Sequence, residues 1–268
     1  MTDLLLLAVN AALEAGKSIM AIYNDPASDF QIERKSDSSP LTIADKASNS
    51  VINKYLISTN IPILSEEEKI LSYDHRKVWD ELWVVDPLDG TKEFIKKNGE
   101  FTVNIALVKD QSPILGVVYL PVKNILYFSM KGCGAFAFDN VEPSRVFDSY
   151  EDLIGGADKL PRIKRAGNKA VVVASRSHMS EETAAYIDEL KTLYDEVELV
   201  SVGSSIKICW VAEGVADVYP RFAPTMEWDT AAGHAVAIEA GKQVYHIDEV
   251  NPIIYNKEDL LNPWFIVK

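Results

Sequence analysis

The spacing of apolar residues changes along this chain, from a helical period near its start to short strand-like runs after residue 60. Residues 3–22 carry apolar side chains three and four positions apart, which predicts an amphipathic helix. A second helix is predicted to begin near Thr42, whose hydroxyl can cap it, so that Asp45 lies in its first turn. Short apolar runs then predict strands over residues 61–64, 82–85, 103–108, 114–120 and 125–128. Turn-like connections between them favour a mainly antiparallel sheet with helices on one face.

The second half of the chain alternates between strand-like and helix-like segments. Strands are predicted over residues 170–174, 197–202 and 215–219, and helices over residues 180–193, 204–213 and from Trp228. Residues 139–169 show the weakest periodicity and contain several Gly and Pro breaks, so we place a junction there. The expected architecture is an α/β (α+β) fold of two subdomains, an α+β unit over residues 1–140 and an α/β unit over residues 141–268.

The charge and cysteine content exclude several classes of protein. With 40 acidic and 27 basic residues, the formal net charge is −13, which opposes binding to nucleic acid. Cys133 and Cys209 have no metal-ligand spacing, so neither a disulfide framework nor a zinc site is expected, and a cytoplasmic location fits. The apolar start lacks the basic segment of a signal peptide, and no stretch is expected to reach transmembrane length. A monomer is expected; a dimer and peripheral contact with the cytoplasmic face of the membrane are the alternatives.

The segment Asp86–Thr91 follows an apolar strand and precedes a helix-compatible run. A turn here can direct two carboxylates three residues apart, Asp86 and Asp89, to one side, with the Leu88 carbonyl between them. Hard oxygen donors of this kind suit Mg²⁺, which keeps water ligands for chemistry. An ordinary Asp-Gly turn is the alternative for any isolated pair of these residues.

The last two residues of that segment have a second predicted role. Gly90 and Thr91 would open the following helix, where free backbone N–H groups and the positive end of the helix dipole can hold a phosphate. A phosphate bound there would lie beside the metal ligands.

Two further carboxylates can complete a metal centre. Glu66 lies in the acidic run 65–68, directly after the apolar run 61–64. Acidic runs are usually solvated, which is the alternative role. However, several Mg²⁺ ions need more anionic ligands than two aspartates can provide. Asp229 opens an alanine-rich helix, where an N-cap is the alternative role. We expect this helix to project Asp229 across the junction and complete the cluster.

Three segments offer contacts to a substrate. They are Ser175–His178, Gly203–Lys207 and Arg221. Each follows a predicted strand or begins a predicted helix, which predicts that they line one cleft. A solvated position is the alternative for each taken alone, and Arg221 can instead pair with one of the many acids.

The acidic motifs together resemble the metal-binding signature of the inositol monophosphatase superfamily. The matching segments are Glu66-Glu67, Asp86–Thr91 and Trp228–Gly233, in the same order and spacing, and the resemblance covers almost the whole chain. Within the superfamily, the bacterial 3′(2′),5′-bisphosphate nucleotidases are similar in Lys92–Ile95, Asn98–Ala106, Ser175–His178, Gly203–Lys207 and Tyr219–Phe222. Residues 141–169 depart from that pattern in being longer, which leaves the rim of the cleft unassigned.

The resemblance implies a layered αβαβα sandwich of the fructose-1,6-bisphosphatase type. It implies magnesium-dependent, lithium-sensitive hydrolysis of 3′-phosphoadenosine 5′-phosphate to AMP and phosphate, and a place in sulfur assimilation. The implied ligands of two or three Mg²⁺ ions are Glu66, Asp86, the Leu88 carbonyl, Asp89 and Asp229.

The same resemblance implies how water and nucleotide would be held. Asp45 and Thr91, together with Glu66, would orient or deprotonate the attacking water. The implied nucleotide contacts are Ser175, His178, Gly203 and Lys207, to which the residue pattern adds Gly90, Thr91 and Arg221.

Other functions remain as alternatives. An inositol monophosphatase or a sugar bisphosphatase would use the same metals and differ only in the pocket. A non-catalytic sensor of the adenosine bisphosphate would bind without turnover, although a pure binder needs no water-activating groups. For the enzyme that the resemblance implies, the expected reaction is in-line attack on phosphorus by a metal-activated water, without a covalent enzyme intermediate. No nucleophilic Cys or Ser motif in the sequence competes for that role.

Overall fold

The computed structural model describes residues 1–34, 40–164, 167–174 and 180–268. The helices are α1 (Thr2–Tyr23), α2 (Ile43–Leu56), α3 (Tyr73–Arg76), α4 (Thr91–Ile95), α5 (Tyr150–Gly155), α6 (Glu181–Leu193), α7 (Ile206–Glu213) and α8 (Glu227–Glu239). The strands are β1 (Glu33–Arg34), β2 (Pro40–Leu41), β3 (Ile63–Ser65), β4 (Glu81–Asp89), β5 (Thr102–Lys109), β6 (Ser112–Leu120), β7 (Ile125–Met130), β8 (Gly134–Phe138), β9 (Asp158–Lys159), β10 (Lys169–Ala174), β11 (Glu196–Ser201), β12 (Tyr219–Arg221), β13 (Val244–His246) and β14 (Phe265–Val267).

A seven-stranded mixed sheet in the order β3-β4-β5-β6-β7-β8-β9 forms the centre of the fold. Only β3 and β4 are parallel within it; the other neighbours are antiparallel, as the turn-like connections predicted. Along β5, Val103, Ile105 and Leu107 pack into a core with α1, whereas Ala106 and Val108 face a second core with α8. Both faces of the sheet are therefore buried, which explains why its strands are continuous apolar runs.

Helices α1 and α2 cover one face of this sheet. By length and composition, α1 is apolar enough to span a membrane, so the expectation that no stretch reaches transmembrane length is wrong. Half of its most apolar window is buried inside the protein, where Leu5, Val9 and Leu13 pack toward the sheet. Packing of α1 in this core accounts for its apolar composition.

Helix α8 lies on the opposite face, and close approach at one glycine brings it there. A Cβ on Gly116 of β6 would lie 2.3 Å from the carbonyl oxygen of Ala232 and 2.8 Å from the Ala235 Cβ. Small residues on both elements therefore allow α8 to rest directly on the sheet. This contact fixes the height of the α8 N-terminus above β4 and β5.

The smaller strands form the next layer. Strands β10 and β11 are parallel, and β12-β14-β13 form an antiparallel set joined to β10 by the Val172–Val218 bridge. Helix α7 contacts both α8 and this layer, and α6 covers its outer side. The order of layers is αβαβα, as the family resemblance implied.

Several predicted boundaries differ from the structure. The strand predicted over residues 215–219 is replaced by β12 at Tyr219–Arg221, with Val218 forming only a bridge. The elements that were not predicted are β1, β2, β8, β9, β13, β14, α3 and α5. The strands β1, β2, β9, β13 and β14 are too short to show a period. The division of the chain at residues 140 and 141 stays a prediction; β9 extends the seven-stranded sheet beyond it, and α5 contacts α1.

Candidate metal centre

A bulge near the end of β4 brings two carboxylates to the same side of the strand. Strand β4 continues through Asp89, so the predicted strand end at residue 85 is wrong. Asp86 pairs with Asn104 of β5, and Asp89 pairs with Thr102. Between these two pairs β4 advances by three residues while β5 advances by two, so β4 contains one extra residue. Residues three apart in a regular strand point to opposite faces, and the extra residue of the bulge cancels that alternation.

The third carboxylate comes from α8. One oxygen atom from each of Asp86, Asp89 and Asp229 lies within 4.8 Å of the others. Asp229 is the third residue of α8 rather than its N-cap, and it accepts a hydrogen bond from the Met226 backbone N–H at 2.8 Å. The cluster thus joins β4 to the first turn of α8 across the layers of the fold.

Glu66 approaches this cluster from the loop after β3. Its backbone N–H donates to the Val85 carbonyl at 3.2 Å, and its carboxyl interacts with that of Asp86. The same loop is held to α2 by Glu68, which accepts hydrogen bonds from Asn49 and Asn53 at 2.7 Å each. The acidic run is therefore tied to helix α2 instead of being simply solvated.

The electrostatics of the cluster favour a bound cation. Burial raises the pKa of Asp86 well above its usual range, and the charges of Glu66, Asp89 and Asp229 raise it further. Removal from water, with Asp89 and Glu66 nearby, also raises the pKa of Asp229 to about 8. Converging acidic groups of this kind are stabilised by a divalent ion, and an all-oxygen donor set matches the preference of Mg²⁺.

A hydroxyl and a buried carboxylate lie beside the cluster. Thr91 Oγ1 lies 3.0 Å from Asp45 Oδ1 and 3.3 Å from the Leu88 carbonyl oxygen, and donates toward both. Asp45 is 2% exposed, and its Oδ2 accepts from the backbone N–H of Thr42 at 2.8 Å and from the Thr42 hydroxyl at 2.5 Å. The predicted cap at Thr42 thus also orients Asp45. Gly90, at φ 95°, makes the turn from β4 into α4.

A cleft of about 500 Å³ opens beside the cluster. Asp89, Gly90, Gly203, Lys207, Arg221 and Asp229 are among the residues that line it. The Lys207 Nζ donates to the Ser204 carbonyl at 2.6 Å and toward the Val202 carbonyl at 3.4 Å, and burial lowers the pKa of Lys207 to about 8. Arg221 Nη2 donates to the Pro224 carbonyl at 2.9 Å. The cleft is within the usual size range of small-molecule sites.

The sequence of the chain matches the model of the inositol monophosphatase family over residues 1–264. The chain belongs to this family. It is 43% identical to the 3′(2′),5′-bisphosphate nucleotidase CysQ of Escherichia coli strain K12 over 259 residues, which cover 96% of each chain. It is 42% identical to the protein of the same name from Salmonella typhimurium over 258 residues, again 96% of each chain.

Solved structures of the inositol monophosphatase family show the same fold. The crystal structure of CysQ from Bacteroides thetaiotaomicron matches with a TM-score of 0.91 and 53% identity, covering 100% of this chain and 97% of that one. Inositol monophosphate-bound SaIMPase-II matches with a TM-score of 0.70 at 21% identity, over 97% and 86% of the two chains, and shows the fold alone. Family enzymes are metal-dependent phosphatases, and the acidic cluster described above is present in this member.

Two of the expected nucleotide contacts, Ser175 and His178, lie outside the described residues. The other expected site residues of this family member are in the cleft or beside the cluster. Their individual roles stay predictions.

Three residues for which the sequence predicts no individual role form hydrogen bonds to the acidic cluster or the cleft lining. Ser205 and Asn104 donate hydrogen bonds to Asp89, and Glu100 accepts one from the Gly203 backbone N–H at 2.8 Å. Each lies inside a segment that resembled the bacterial nucleotidases. For Asn104 and Glu100 the resemblance was the only signal in the sequence, whereas Ser205 also belongs to a segment that begins a predicted helix.

Proposed function

We propose that this chain is a magnesium-dependent 3′(2′),5′-bisphosphate nucleotidase, which hydrolyses 3′-phosphoadenosine 5′-phosphate to AMP and phosphate. The observation that carries the proposal is the convergence of Asp86, Asp89 and Asp229 within 4.8 Å at the side of a cleft of about 500 Å³. Such a site can hold a divalent ion next to a phosphate ester. The names of the relatives at 42–44% identity supply the nucleotide as the substrate class.

The proposed metal ligands are all oxygen donors from three parts of the fold. They are Glu66, Asp86, the Leu88 carbonyl, Asp89 and Asp229, and we assign two or three Mg²⁺ ions to them. When bound, magnesium lowers the pKa of a water nucleophile and stabilises charge on the leaving oxygen. The protein's contribution is to hold the carboxylates at fixed separations, through the β4 bulge and the packing of α8.

We assign proton handling to Asp45 and Thr91. The Thr91 hydroxyl hydrogen-bonds to Asp45, so a proton taken from the attacking water at Thr91 Oγ1 can be accommodated by the adjacent carboxylate. The two hydrogen bonds from Thr42 fix Asp45 Oδ2 and leave Oδ1 toward Thr91. No covalent enzyme intermediate is needed in this scheme.

We assign nucleotide binding to the cleft between α4 and the segment before α7. Gly90 and Thr91 would contact the reacting phosphate, Gly203 would contact the nucleoside, and Arg221 and Lys207 would provide positive charge for the second phosphate. The Lys207 ammonium already donates hydrogen bonds to two backbone carbonyls, so Arg221 is the more available of the two cations for binding a phosphate. Ser175 and His178 remain assigned to the nucleotide from the sequence.

We further propose that the enzyme acts in the cytoplasm on this soluble nucleotide, without nucleic acid as a partner. The acidic net charge of −13 supports the second statement. A role in sulfur assimilation follows from the substrate, which is a by-product of sulfate activation.

The test is phosphate release from adenosine 3′,5′-bisphosphate, inositol monophosphate and fructose 1,6-bisphosphate, with and without Mg²⁺ and Li⁺. We expect kcat/KM for the adenosine bisphosphate to exceed the others by about 100-fold, with no release without Mg²⁺ and inhibition by Li⁺. Comparable release from inositol monophosphate would favour an inositol monophosphatase. Stoichiometric nucleotide binding without turnover in saturating Mg²⁺ would favour a sensor.

A further inference from the structure

Ser205 occupies the N-cap position of α7 without using its side chain as a cap. Serine at this position normally accepts a hydrogen bond from the second or third backbone N–H of the helix. In α7 no such side-chain bond forms. The Ser205 hydroxyl instead points to the acidic cluster, and the residue is buried there, with only 4% of its surface exposed.

The hydroxyl contacts three elements of the cluster at once. Ser205 Oγ lies 2.7 Å from Asp89 Oδ2, 2.7 Å from the Asp229 carbonyl oxygen and 2.9 Å from Asn104 Nδ2. The Ser205 backbone N–H also donates to Asp89 Oδ2 at 2.6 Å. One small side chain therefore joins β4, β5 and the first turn of α8.

These contacts are consistent with the donors and acceptors available. Asn104 Nδ2 can only donate, so Ser205 Oγ accepts from it. The single hydroxyl proton is then shared between two acceptors, the Asp89 carboxylate and the Asp229 carbonyl. In the described part of the chain, the hydrogen bonds to the Asp89 carboxyl all fall on Oδ2, which fixes the rotation of that group.

We propose that Ser205 is a positioning residue for the metal centre, an inference that rests on the proposed function. It orients the carboxylate of Asp89 and holds the turn that carries Asp229 at a fixed distance from it. The two aspartates come from different layers, and apart from their shared packing this hydroxyl is a direct polar link between them. Groups that orient metal ligands typically change metal affinity by about 10–100-fold when removed.

The test measures metal binding to the substrate-free protein. Mn²⁺ prefers the same oxygen ligands as Mg²⁺, and free Mn²⁺ can be counted by electron paramagnetic resonance. We expect Ser205→Ala to weaken Mn²⁺ affinity by about tenfold or more. At saturating Mn²⁺ the kcat of the variant should approach that of the wild type, and its KM for adenosine 3′,5′-bisphosphate should equal the wild-type value.

Ser149→Ala is the matched control. Ser149 caps α5 in the ordinary way, accepting from the Asp152 backbone N–H at 3.1 Å, and it does not line the cleft. Its replacement should lower the thermal midpoint and leave Mn²⁺ affinity unchanged. A general loss of stability is thereby separated from a loss of metal-ligand orientation.

Asn104→Ala provides the second variant, should Ser205→Ala fail to fold. It removes the donor that fixes Ser205 Oγ, and it should also weaken Mn²⁺ affinity. If both single variants fold, the loss of Mn²⁺ affinity in the double variant should be smaller than the sum of the two single losses, because both residues act on Asp89 through one network.

The outcomes separate the two hypotheses. Wild-type Mn²⁺ affinity in Ser205→Ala, or in Asn104→Ala if only that variant folds, would overturn the positioning role and leave the proposed function standing. Failure of the wild type to bind Mn²⁺ at all would overturn the proposed function and the positioning role with it.

Discussion

The hydroxyl of Thr91 donates to Oδ1 of Asp45 at 3.0 Å, although the two residues are 46 positions apart in sequence. Thr91 is the first residue of α4, and Asp45 lies in the first turn of α2. The contact therefore depends on two helix starts meeting beside the acidic cluster. In the proposed function, this pair of residues accepts a proton from the attacking water.

Replacement of Thr91 by alanine should reduce kcat without removing the metal. Loss of a group that transfers a proton typically costs about 10²–10⁴-fold in rate, and we expect a decrease in this range for phosphate release at saturating Mg²⁺. Thr91→Ser keeps the hydroxyl and should retain most of the activity. Equal kcat for Thr91→Ala and wild type would show that the pair does not act on water.

Replacement of Asp89 by asparagine should abolish Mg²⁺-dependent phosphate release while leaving the fold intact. The amide oxygen can still accept the hydrogen bonds of Ser205, so only the negative charge is lost. Circular dichroism should match wild type. Asp110→Asn, in an exposed turn at φ 48°, is the control and should keep full activity. Retained release in Asp89→Asn contradicts its assignment as a ligand.

Replacement of Asp229 by asparagine should stabilise the protein in the presence of a chelator. Without a cation, repulsion among Asp86, Asp89 and Asp229 opposes folding, and the amide can still accept the Met226 N–H bond. We expect the free energy of unfolding to rise by about 0.5–2 kcal/mol in chelator. In Mg²⁺ the wild type should gain stability by mass action and the variant should gain little. A destabilised variant in chelator would argue against the repulsion.

Replacement of Gly116 by alanine should disturb the metal centre from a distance. The added methyl would meet the Ala232 carbonyl at 2.3 Å, which forces α8 away from β6 and moves Asp229 with it. Such overpacking typically costs about 1–3 kcal/mol of unfolding free energy, and Mn²⁺ affinity should fall in the same variant. Gly155→Ala in α5 meets no atom within 4 Å and should change neither property. Unaltered metal affinity in Gly116→Ala would uncouple this packing from the site.

The buried His234 should make the protein sensitive to acid. Burial lowers the pKa of His234 to about 3, against about 6.5 when unfolded, and its Nδ1 hydrogen-bonds with the Tyr255 hydroxyl at 2.8 Å. Below pH 6.5 the unfolded chain binds a proton that the native state does not, so stability falls as the pH decreases toward 3. One such proton lowers the unfolding free energy by about 1.6 kcal/mol between pH 6.5 and pH 5.

Urea unfolding at the two pH values checks this contribution. The pH-dependent loss should be smaller by that amount in His234→Gln than in wild type, because the comparison cancels the titration of other groups. His75→Gln, at an exposed position, should keep the wild-type loss. An identical pH dependence in wild type and His234→Gln would mean that His234 does not remain neutral in the native state.

Local patterns in the sequence were sufficient for much of the fold. The bounds of helices α1, α6 and α7 lie within two residues of the predicted ones. Amphipathic periodicity depends only on residues that are close together in sequence, so it can be recognised without the tertiary structure. The strands of the seven-stranded sheet were recognised where apolar runs were long enough. Short strands such as β13 and β14 were missed, because they are defined by their pairing with each other and with β12, which is distant in sequence.

The sequence by itself determined which residue types are available for a metal centre: acidic side chains after β3, at the end of β4 and at the start of α8. Only the tertiary structure decided how they meet. The β4 bulge depends on pairing with β5, the height of Asp229 depends on α8 resting on Gly116, and the diversion of the Ser205 hydroxyl depends on both. Contacts between elements distant in sequence have no local signature, because they are selected by packing of the whole chain.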